Sequence, residues 1–274
     1  NIALAGNFDD CQKMIKSMFA DKNFNSSIEM SGVNSINWAR IVVQIVYYFF
    51  AYFKVTKNYE KINFSVPTGN FGDIYAGYIA KKMGLPISKL IIATNKNDIL
   101  KRAITSGIYR PQKVEHTVSP SMDIQLASNF ERLIFDISQH DSEKILKLMD
   151  NLNREGEFRL KKEDIKKIGK IFFSESLSDK ETKEVIKKTY EDEGILIDPH
   201  TAVAIGVTNK IALKEKTIIL STAHPAKFSE IVMEATSIKA ELPESLRSIL
   251  LKKENYEKLP KDLKKIQNYI LDKV

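Results

Sequence analysis

Residues 65–73, which read Ser-Val-Pro-Thr-Gly-Asn-Phe-Gly-Asp, constrain the fold more than any other part of the chain. Residues 61–66, in which Ile62, Phe64 and Val66 alternate with polar residues, predict a short buried strand before the loop, and residues 74–83 predict a helix after it. A strand that passes through a glycine-bearing loop into a helix directs free backbone N–H groups and the positive end of the helix dipole at one point, where a phosphate can bind. Because two glycines are a weak signal, a tight turn that binds nothing remains the alternative.

Short apolar segments alternate with helical patterns along the whole chain. Strands are predicted at residues 2–5, 28–30, 61–66, 89–93 and 217–221. Alternation of this kind favours an α/β fold with a mostly parallel, twisted sheet flanked by helices.

One domain boundary is predicted in the turn-rich segment 31–35. Residues 1–33 would then be the remnant of a smaller domain, and residues 34–274 a large domain that includes C-terminal helices near 243–253 and 260–272. Residues 25–27 are predicted to be a loop. Residues Ile165, Ile168 and Phe172 recur at helical spacing, which is typical of a helix.

Composition excludes several classes of function. The net charge of +7 comes mostly from lysine pairs between apolar positions of predicted helices, so we expect no nucleic-acid partner. The four histidines are widely separated, so no metal site is expected. The apolar run 41–53 is too short to span a bilayer and predicts a core helix rather than a membrane partner. A single cysteine, Cys11, suits a reducing compartment, and we expect a cytoplasmic location.

A second anion site is suggested by Asn34, Ser35 and Arg40. The short polar side chains can donate hydrogen bonds, and a guanidinium group can bind two phosphate oxygens at once. Arg40 lies early in a predicted helix that is otherwise almost wholly apolar. The alternative is that Asn34 or Ser35 only caps this helix and that Arg40 pairs with a surface acid.

Polar residues also follow the predicted strand 217–221. The hydroxyl groups of Ser221 and Thr222 could contact a ligand heteroatom such as a pyridine nitrogen, or could cap the next helix. His224 is expected to be structural. Lys227 could be a nucleophile if it were desolvated, but its position beside Phe228 at a helix start argues against that role.

Several segments, in order along the chain, resemble threonine synthases, which are fold-type II pyridoxal-phosphate enzymes related to the tryptophan synthase β subunit. The similar segments are Asn7–Gln12, Asn34–Asn37 with Arg40, Pro67–Asp73, Thr94–Asp98, Ser121–Asp123, Asp198–Ala204 and Ser221–Phe228. The similarity extends from the first residues to beyond residue 228. It implies a fold-type II enzyme that lacks its N-terminal part.

The resemblance also implies roles for particular residues. The phosphate of pyridoxal 5'-phosphate would be held by Gly69, Asn70, Phe71, Gly72 and Asp73. The pyridine nitrogen would face Thr222. The phosphate of O-phospho-L-homoserine would be bound by Asn34, Ser35 and Arg40. The implied reaction converts this substrate and water to L-threonine and phosphate.

In threonine synthases the lysine that forms the Schiff base lies upstream, and no lysine of this chain has a matching context. We therefore expect no catalytic residue in this chain, which would be inactive without an N-terminal part supplied in cis or in trans. The complete enzyme is expected to be a monomer. One alternative is a catalytically inactive remnant that binds phosphorylated metabolites, and another is a different fold-type II activity that uses Lys227.

Overall fold

The structure is a computed structural model that describes residues 1–6, 8–32 and 36–273. Its helices are α1 (Phe8–Ala20), α2 (Lys22–Ser27), α3 (Trp38–Val55), α4 (Gly72–Lys82), α5 (Ile99–Ser106), α6 (Phe130–Ile137), α7 (Ser142–Glu155), α8 (Lys162–Ile171), α9 (Asp179–Glu193), α10 (Pro199–Asn209), α11 (Ser229–Thr236), α12 (Glu244–Arg247) and α13 (Leu263–Leu271). Its strands are β1 (Ile2–Leu4), β2 (Ile62–Pro67), β3 (Ile87–Thr94), β4 (Ile108–Tyr109), β5 (Phe158–Arg159), β6 (Phe172–Ser176), β7 (Thr217–Ile219) and β8 (Glu257–Leu259). Short 3-10 turns occur at Pro120–Met122, Pro225–Phe228 and Ser248–Leu251.

The chain divides into two compact units. One unit combines Asn1–Gly32 with Pro243–Val274, and the other is Val33–Leu242.

A four-stranded parallel sheet organises the larger unit, in the order β6-β3-β2-β7. Ser65 of β2 pairs with Ile91 of β3 on one side and with Ile219 of β7 on the other. Every residue of β2 is buried, as expected for a central strand covered on both faces. The predicted mostly parallel α/β sheet flanked by helices is therefore confirmed.

Helices cover both faces of this sheet. On one face, α3 buries Tyr48 against Phe64 of β2, with 5.0 Å between the ring centroids. On the other face, Val203 and Val207 of α10 pack in one cluster with Ile91 of β3. The carboxyl ends of parallel strands lie at one edge of a sheet, so the segments after β2, β3 and β7 meet there.

The smaller unit is held together by its own strand pair and core. β1 pairs in parallel with β8, and Met18, Phe24 and Ile266 form a buried cluster. The structure thus groups residues 243–274 with residues 1–32, whereas the sequence had assigned them to the large domain. Strand pairing between the two ends of the chain is a long-range contact that sequence patterns do not reveal.

Four local predictions were wrong. Residues 25–27 belong to α2, because the Asp21 side chain accepts hydrogen bonds from the N–H groups of Asn23 and Phe24, and residues 28–30 form no strand. Helix α8 ends at Ile171, and β6 begins immediately at Phe172. The predicted helix 243–253 is reduced to α12 and a 3-10 turn.

Other local signals were read correctly. The core helix predicted for the apolar run 41–53 lies within α3, and Ser178 and Glu181 form a capping box at the start of α9. Among the described residues, no helix has both the length and the apolarity needed to cross a bilayer.

Candidate functional site

The predicted strand-loop-helix segment connects β2 to α4 and lines a cavity. Residues 67–74 surround about 130 Å³, several times the roughly 10–15 Å³ that one water molecule needs. The Thr68 N–H donates to the carbonyl of Ala93 at 2.8 Å, and its hydroxyl donates to the carbonyl of Val66 at 2.7 Å. The loop is thereby fixed to the end of the sheet at its first residue.

Phe71 sets the backbone where the helix begins. Its φ of 66° and ψ of 6° place a non-glycine residue in the left-handed region, which costs about 1–3 kcal/mol. Burial of its ring against Phe130 and Phe172, at centroid distances of 5.4 and 5.7 Å, offsets that cost. Phe71 is the N-cap residue of α4, and its phenyl ring has no oxygen or nitrogen atom to accept an N–H group, so its side chain does not cap the first turn. Its N–H groups therefore favour an anion.

Asn70 is held by two residues at the start of α6, Ser128 and Asn129. The backbone N–H and the side-chain amide of Asn129 both donate to the carbonyl oxygen of Asn70 at 3.1 Å. The Ser128 hydroxyl donates to Oδ1 of Asn70 at 3.3 Å. With its carbonyl oxygen fixed in this way, the peptide at Asn70 has one orientation.

Asp73 lies in the first turn of α4, and its carboxyl group can place a negative charge beside the N–H groups that favour an anion. Burial raises the pKa of its carboxyl group to about 6, and the hydrogen bond from Tyr48 opposes this rise. The Tyr48 hydroxyl donates to the carbonyl of Asp73 at 2.8 Å and to Oδ1 at 3.2 Å. Burial also raises the pKa of Tyr48, and the charge of Asp73 adds to that effect. A phosphate in the cavity would repel an ionised Asp73.

The segment 119–123 packs directly on the loop. A Cβ atom at Gly69 would lie 3.0 Å from the carbonyl oxygen of Ser121, so glycine permits the close approach. Asp123 anchors this segment, because its Oδ1 accepts hydrogen bonds from Asn95 at 2.8 Å and from Thr117 at 2.6 Å.

A buried Asp–His pair at the start of α10 supports the same segment. Nδ1 of His200 lies 2.8 Å from Oδ1 of Asp198, and Nε2 accepts the backbone N–H of Ser121 at 3.2 Å. The accepting Nε2 fixes the proton on Nδ1. Burial would raise the pKa of Asp198, but hydrogen bonds from His200 and Thr201 outweigh it and hold the pKa below its usual value.

The same pair is linked to the end of β7. The Thr201 hydroxyl donates to Oδ2 of Asp198, and Thr201 Oγ1 lies 3.3 Å from Ser221 Oγ. Asp198 thus joins the segment that packs on the loop 67–74 to the segment that begins with Ser221. In the sequence these residues belong to one of the similar segments, and no pattern there indicates a role for them.

Thr222 is exposed and follows β7 at the carboxyl ends of the parallel strands, where β2 also ends. The Leu220 N–H donates to the carbonyl of Ser65, which extends the pairing of these strands toward the loop. His224 Nδ1 accepts the N–H of Ala226 and so caps a 3-10 turn, a structural contact. The Lys227 side chain is exposed, with Nζ 5.5 Å from the centroid of the Phe228 ring.

The second predicted anion site is described only in part. Asn34 and Ser35 lie outside the described residues. Arg40 is exposed in the first turn of α3. That turn lies close to α4, because the rings of Trp38 and Tyr75 meet edge to face at a centroid distance of 6.3 Å.

Arg132 was missed by sequence analysis and connects the two regions. It donates to Oδ1 of Asn129 at 2.9 Å and to the carbonyl of Ile36 at 2.9 Å. Its guanidinium carbon lies 5.8 Å from the centroid of the Trp38 ring. A lone arginine in an amphipathic helix gives no sequence signal for such a bridge.

Comparison with known proteins assigns the family. Over 273 residues the chain is 43% identical to threonine synthase of Pseudomonas aeruginosa, a match that includes 98% of this chain and 58% of that protein. The chain belongs to the threonine synthase family. A family profile described as "Threonine synthase, C-terminal" matches residues 201–270. Threonine synthase of Saccharomyces cerevisiae is 45% identical over 90% of this chain and 54% of its own length.

Solved structures agree with this family. The pyridoxal-phosphate-bound threonine synthase of Brucella melitensis superposes with a TM-score of 0.91 at 43% identity, covering 99% of this chain and 59% of that one. The fold-type II architecture predicted from the sequence is confirmed. The chain corresponds to the C-terminal portion of these threonine synthases and spans a little over half of their length.

Proposed function

We propose that this chain forms the cofactor-phosphate and substrate-phosphate sites of a pyridoxal-phosphate-dependent threonine synthase, which converts O-phospho-L-homoserine and water to L-threonine and phosphate. The observation that carries the proposal is the uncapped first turn of α4, which opens on the cavity lined by residues 67–74. Relatives with 43–45% identity to this chain are threonine synthases, and one of them was solved with pyridoxal phosphate bound.

The residues around the loop fit a phosphate group. N–H groups of Gly69 to Asp73 would bind its oxygens, with Phe71 and Asn129 holding the backbone in the required conformation. Below a pH of about 6 the carboxyl group of Asp73 would be protonated and would not repel the bound phosphate. When bound, pyridoxal phosphate supplies an electron sink for proton removal beside its reactive carbon.

Thr222 would face the pyridine nitrogen of the cofactor. A hydroxyl group can donate to an unprotonated ring nitrogen, whereas a carboxylate would favour the protonated ring. The link from Asp198 through Thr201 to Ser221 would hold this segment in place relative to the phosphate loop. Asp198 and His200 are therefore positioning residues.

Arg40, with Asn34 and Ser35, would bind the phosphate of the substrate. The start of α3 lies beside α4, and Arg132 ties the carbonyl of Ile36 to the residue that holds Asn70. Two anion sites close to each other suit a reaction in which both the cofactor and the substrate carry a phosphate group.

The test joins this chain to the N-terminal part of a relative, a part that this chain does not include. A hybrid of the N-terminal part of the Pseudomonas aeruginosa enzyme and this chain should form threonine from O-phosphohomoserine, whereas this chain alone should form none. Arg40→Ala in the hybrid should raise KM for the substrate at least about tenfold and leave the affinity for pyridoxal phosphate within about twofold, since a charge-assisted bond contributes roughly 1.5–3 kcal/mol.

Other results would exclude the proposal or replace it. Threonine formation by this chain alone would contradict it. A folded hybrid that binds pyridoxal phosphate but forms no threonine would favour the remnant that binds phosphorylated metabolites. After reduction with borohydride, mass spectrometry of a cofactor adduct on Lys227 would favour a different fold-type II activity. Cytoplasmic location and a monomeric complete enzyme stay predictions, tested by fractionation and by analytical ultracentrifugation.

A further inference from the structure

Helix α3 is apolar on both sides, and one side is buried in the core while the other is about half exposed. Its inner face buries Ile41, Ile45, Tyr48 and Tyr52 in the core of the larger unit. Six large apolar side chains on the other side are each 42–64% exposed; we call these the outer face of α3: Val42, Val43, Val46, Tyr47, Phe50 and Phe53. At 100° per residue they lie within an arc of about 140°.

This outer face is unlike the solvent-facing side of an ordinary surface helix. Surface helices carry charged and polar residues opposite their buried stripe, and a helix that is apolar all round is normally covered. Between residues 41 and 53 the chain has no charged residue at all. Since one aromatic side chain presents about 150–250 Å², three half-exposed rings and three valines amount to several hundred square ångströms, the upper range for a monomer surface.

The sheet beneath α3 is also open on one side. β7 is the end strand of the sheet, and among the described residues no strand pairs with its side away from β2. Its three residues are only half-buried, whereas β2 is fully buried. Ile218 and Leu220 pack against the same core cluster as the inner face of α3. The strand β7 and the helix α3 therefore border the same core cluster of the larger unit.

We propose that the outer face of α3 and the free edge of β7 bind the N-terminal part of a threonine synthase, the portion that relatives have and this chain does not include. The match with the Pseudomonas aeruginosa enzyme leaves about two fifths of that protein unpaired, which is enough polypeptide for a strand on β7 and an apolar segment on α3. Six apolar side chains do not supply the clustered positive charge that a nucleic-acid partner requires, although Nζ of Lys54 lies 5.5 Å from the centroid of the Phe50 ring. This inference rests on the proposed function for the identity of the bound segment.

The first experiment measures binding of the separate N-terminal part of the Pseudomonas aeruginosa enzyme to this chain, by biolayer interferometry without cofactor or substrate. Val46→Lys with Phe50→Lys should weaken binding at least about 100-fold. The change removes two apolar side chains that the complex would bury and places two charges in the contact. The matched control is Leu146→Lys with Met83→Lys, at two positions that are as exposed, and it should stay within about threefold of the wild type. Neither pair should change the melting temperature by more than about 2 °C, since all four side chains are exposed.

A hybrid chain gives a second measurement that does not require the two parts to associate from solution. In a Cys11→Ser background, Val46→Cys should react with a maleimide at least about tenfold more slowly in the hybrid than in this chain alone. Leu146→Cys should react at the same rate in both. Equal reactivity of position 46 in the two proteins would overturn the proposal, as would undiminished binding by the lysine variant.

Self-association is the competing explanation for the exposed face. If this chain sediments as a dimer that Val46→Lys with Phe50→Lys dissociates, and the N-terminal part does not compete, the face binds a second copy and the proposal fails. Neither readout uses threonine formation. A protected α3 in a hybrid without activity would contradict the proposed function alone, and an active hybrid with an unprotected α3 would contradict this inference alone.

Discussion

Replacing Asp73 by asparagine tests the electrostatics of the phosphate loop. Burial in the first turn of α4 raises the pKa of this carboxyl group from 3.8 to about 6. Between these two values the folded protein holds a proton that the unfolded chain releases. The native state is therefore favoured at low pH, and this advantage is lost as the pH rises from about 4 to about 6. At 1.36 kcal/mol per pH unit, an ionised Asp73 lowers the free energy of unfolding by up to about 3 kcal/mol above pH 7.

Asparagine removes the charge and keeps an oxygen that can accept the Tyr48 hydroxyl. We expect Asp73→Asn to match the wild type near pH 4 and to be more stable by up to about 3 kcal/mol near pH 8. Urea denaturation followed by circular dichroism at pH steps between these limits gives the difference directly. Asp150→Asn is the control, because Asp150 pairs with Arg154 on the surface and should change stability by less than about 1 kcal/mol at any of these pH values.

Two results would refute this reasoning. If the stabilities of Asp73→Asn and the wild type stay parallel from pH 4 to pH 8, Asp73 has no raised pKa in the folded protein. If Asp73→Asn is less stable at pH 8, the carboxylate is favourable there and the helix dipole outweighs its burial. The same variant should bind inorganic phosphate more tightly than the wild type at pH 8, since the repulsion between two anions is removed.

Three further substitutions test the packing that positions the loop. Gly77→Ala places a Cβ atom 2.5 Å from Cε1 of Tyr48, so we expect a loss of about 1–3 kcal/mol in urea denaturation, and an unchanged midpoint would contradict the packing. His200→Ala removes the acceptor for the Ser121 N–H and should cost about 1–3 kcal/mol and weaken phosphate binding, whereas a loss of stability with unchanged phosphate affinity would exclude a positioning role. Gly69→Ala should weaken phosphate binding in calorimetry more than it lowers the melting temperature, because the added methyl group must displace the loop or the carbonyl of Ser121.

The sequence predicts this site where the information is local. The order of a buried strand, two glycines and a helix predicts the phosphate loop, and the structure has β2, the loop and α4 at these residues. The partners that fix the loop come from distant segments: Asn129 is 59 residues from Asn70, and His200 is 79 residues from Ser121. No local pattern identifies such contacts. Strand β6 was missed because Phe172 continues the helical spacing of α8 and no glycine or proline separates the two elements.

The phosphate loop is held by contacts within the larger unit, so we expect this chain to bind phosphate even where it does not catalyse a reaction. The groups that hold the loop are the rings around Phe71, the amide of Asn129 and the segment at Ser121, and all of them lie within the larger unit. The loop therefore should keep its conformation without an N-terminal part, since none of its described contacts depends on one. The open surfaces of the same unit lie elsewhere, on the outer face of α3 and the edge of β7. We expect this chain alone to bind inorganic phosphate in calorimetry while forming no threonine, and phosphate binding that requires the N-terminal part would show that the loop is not preformed.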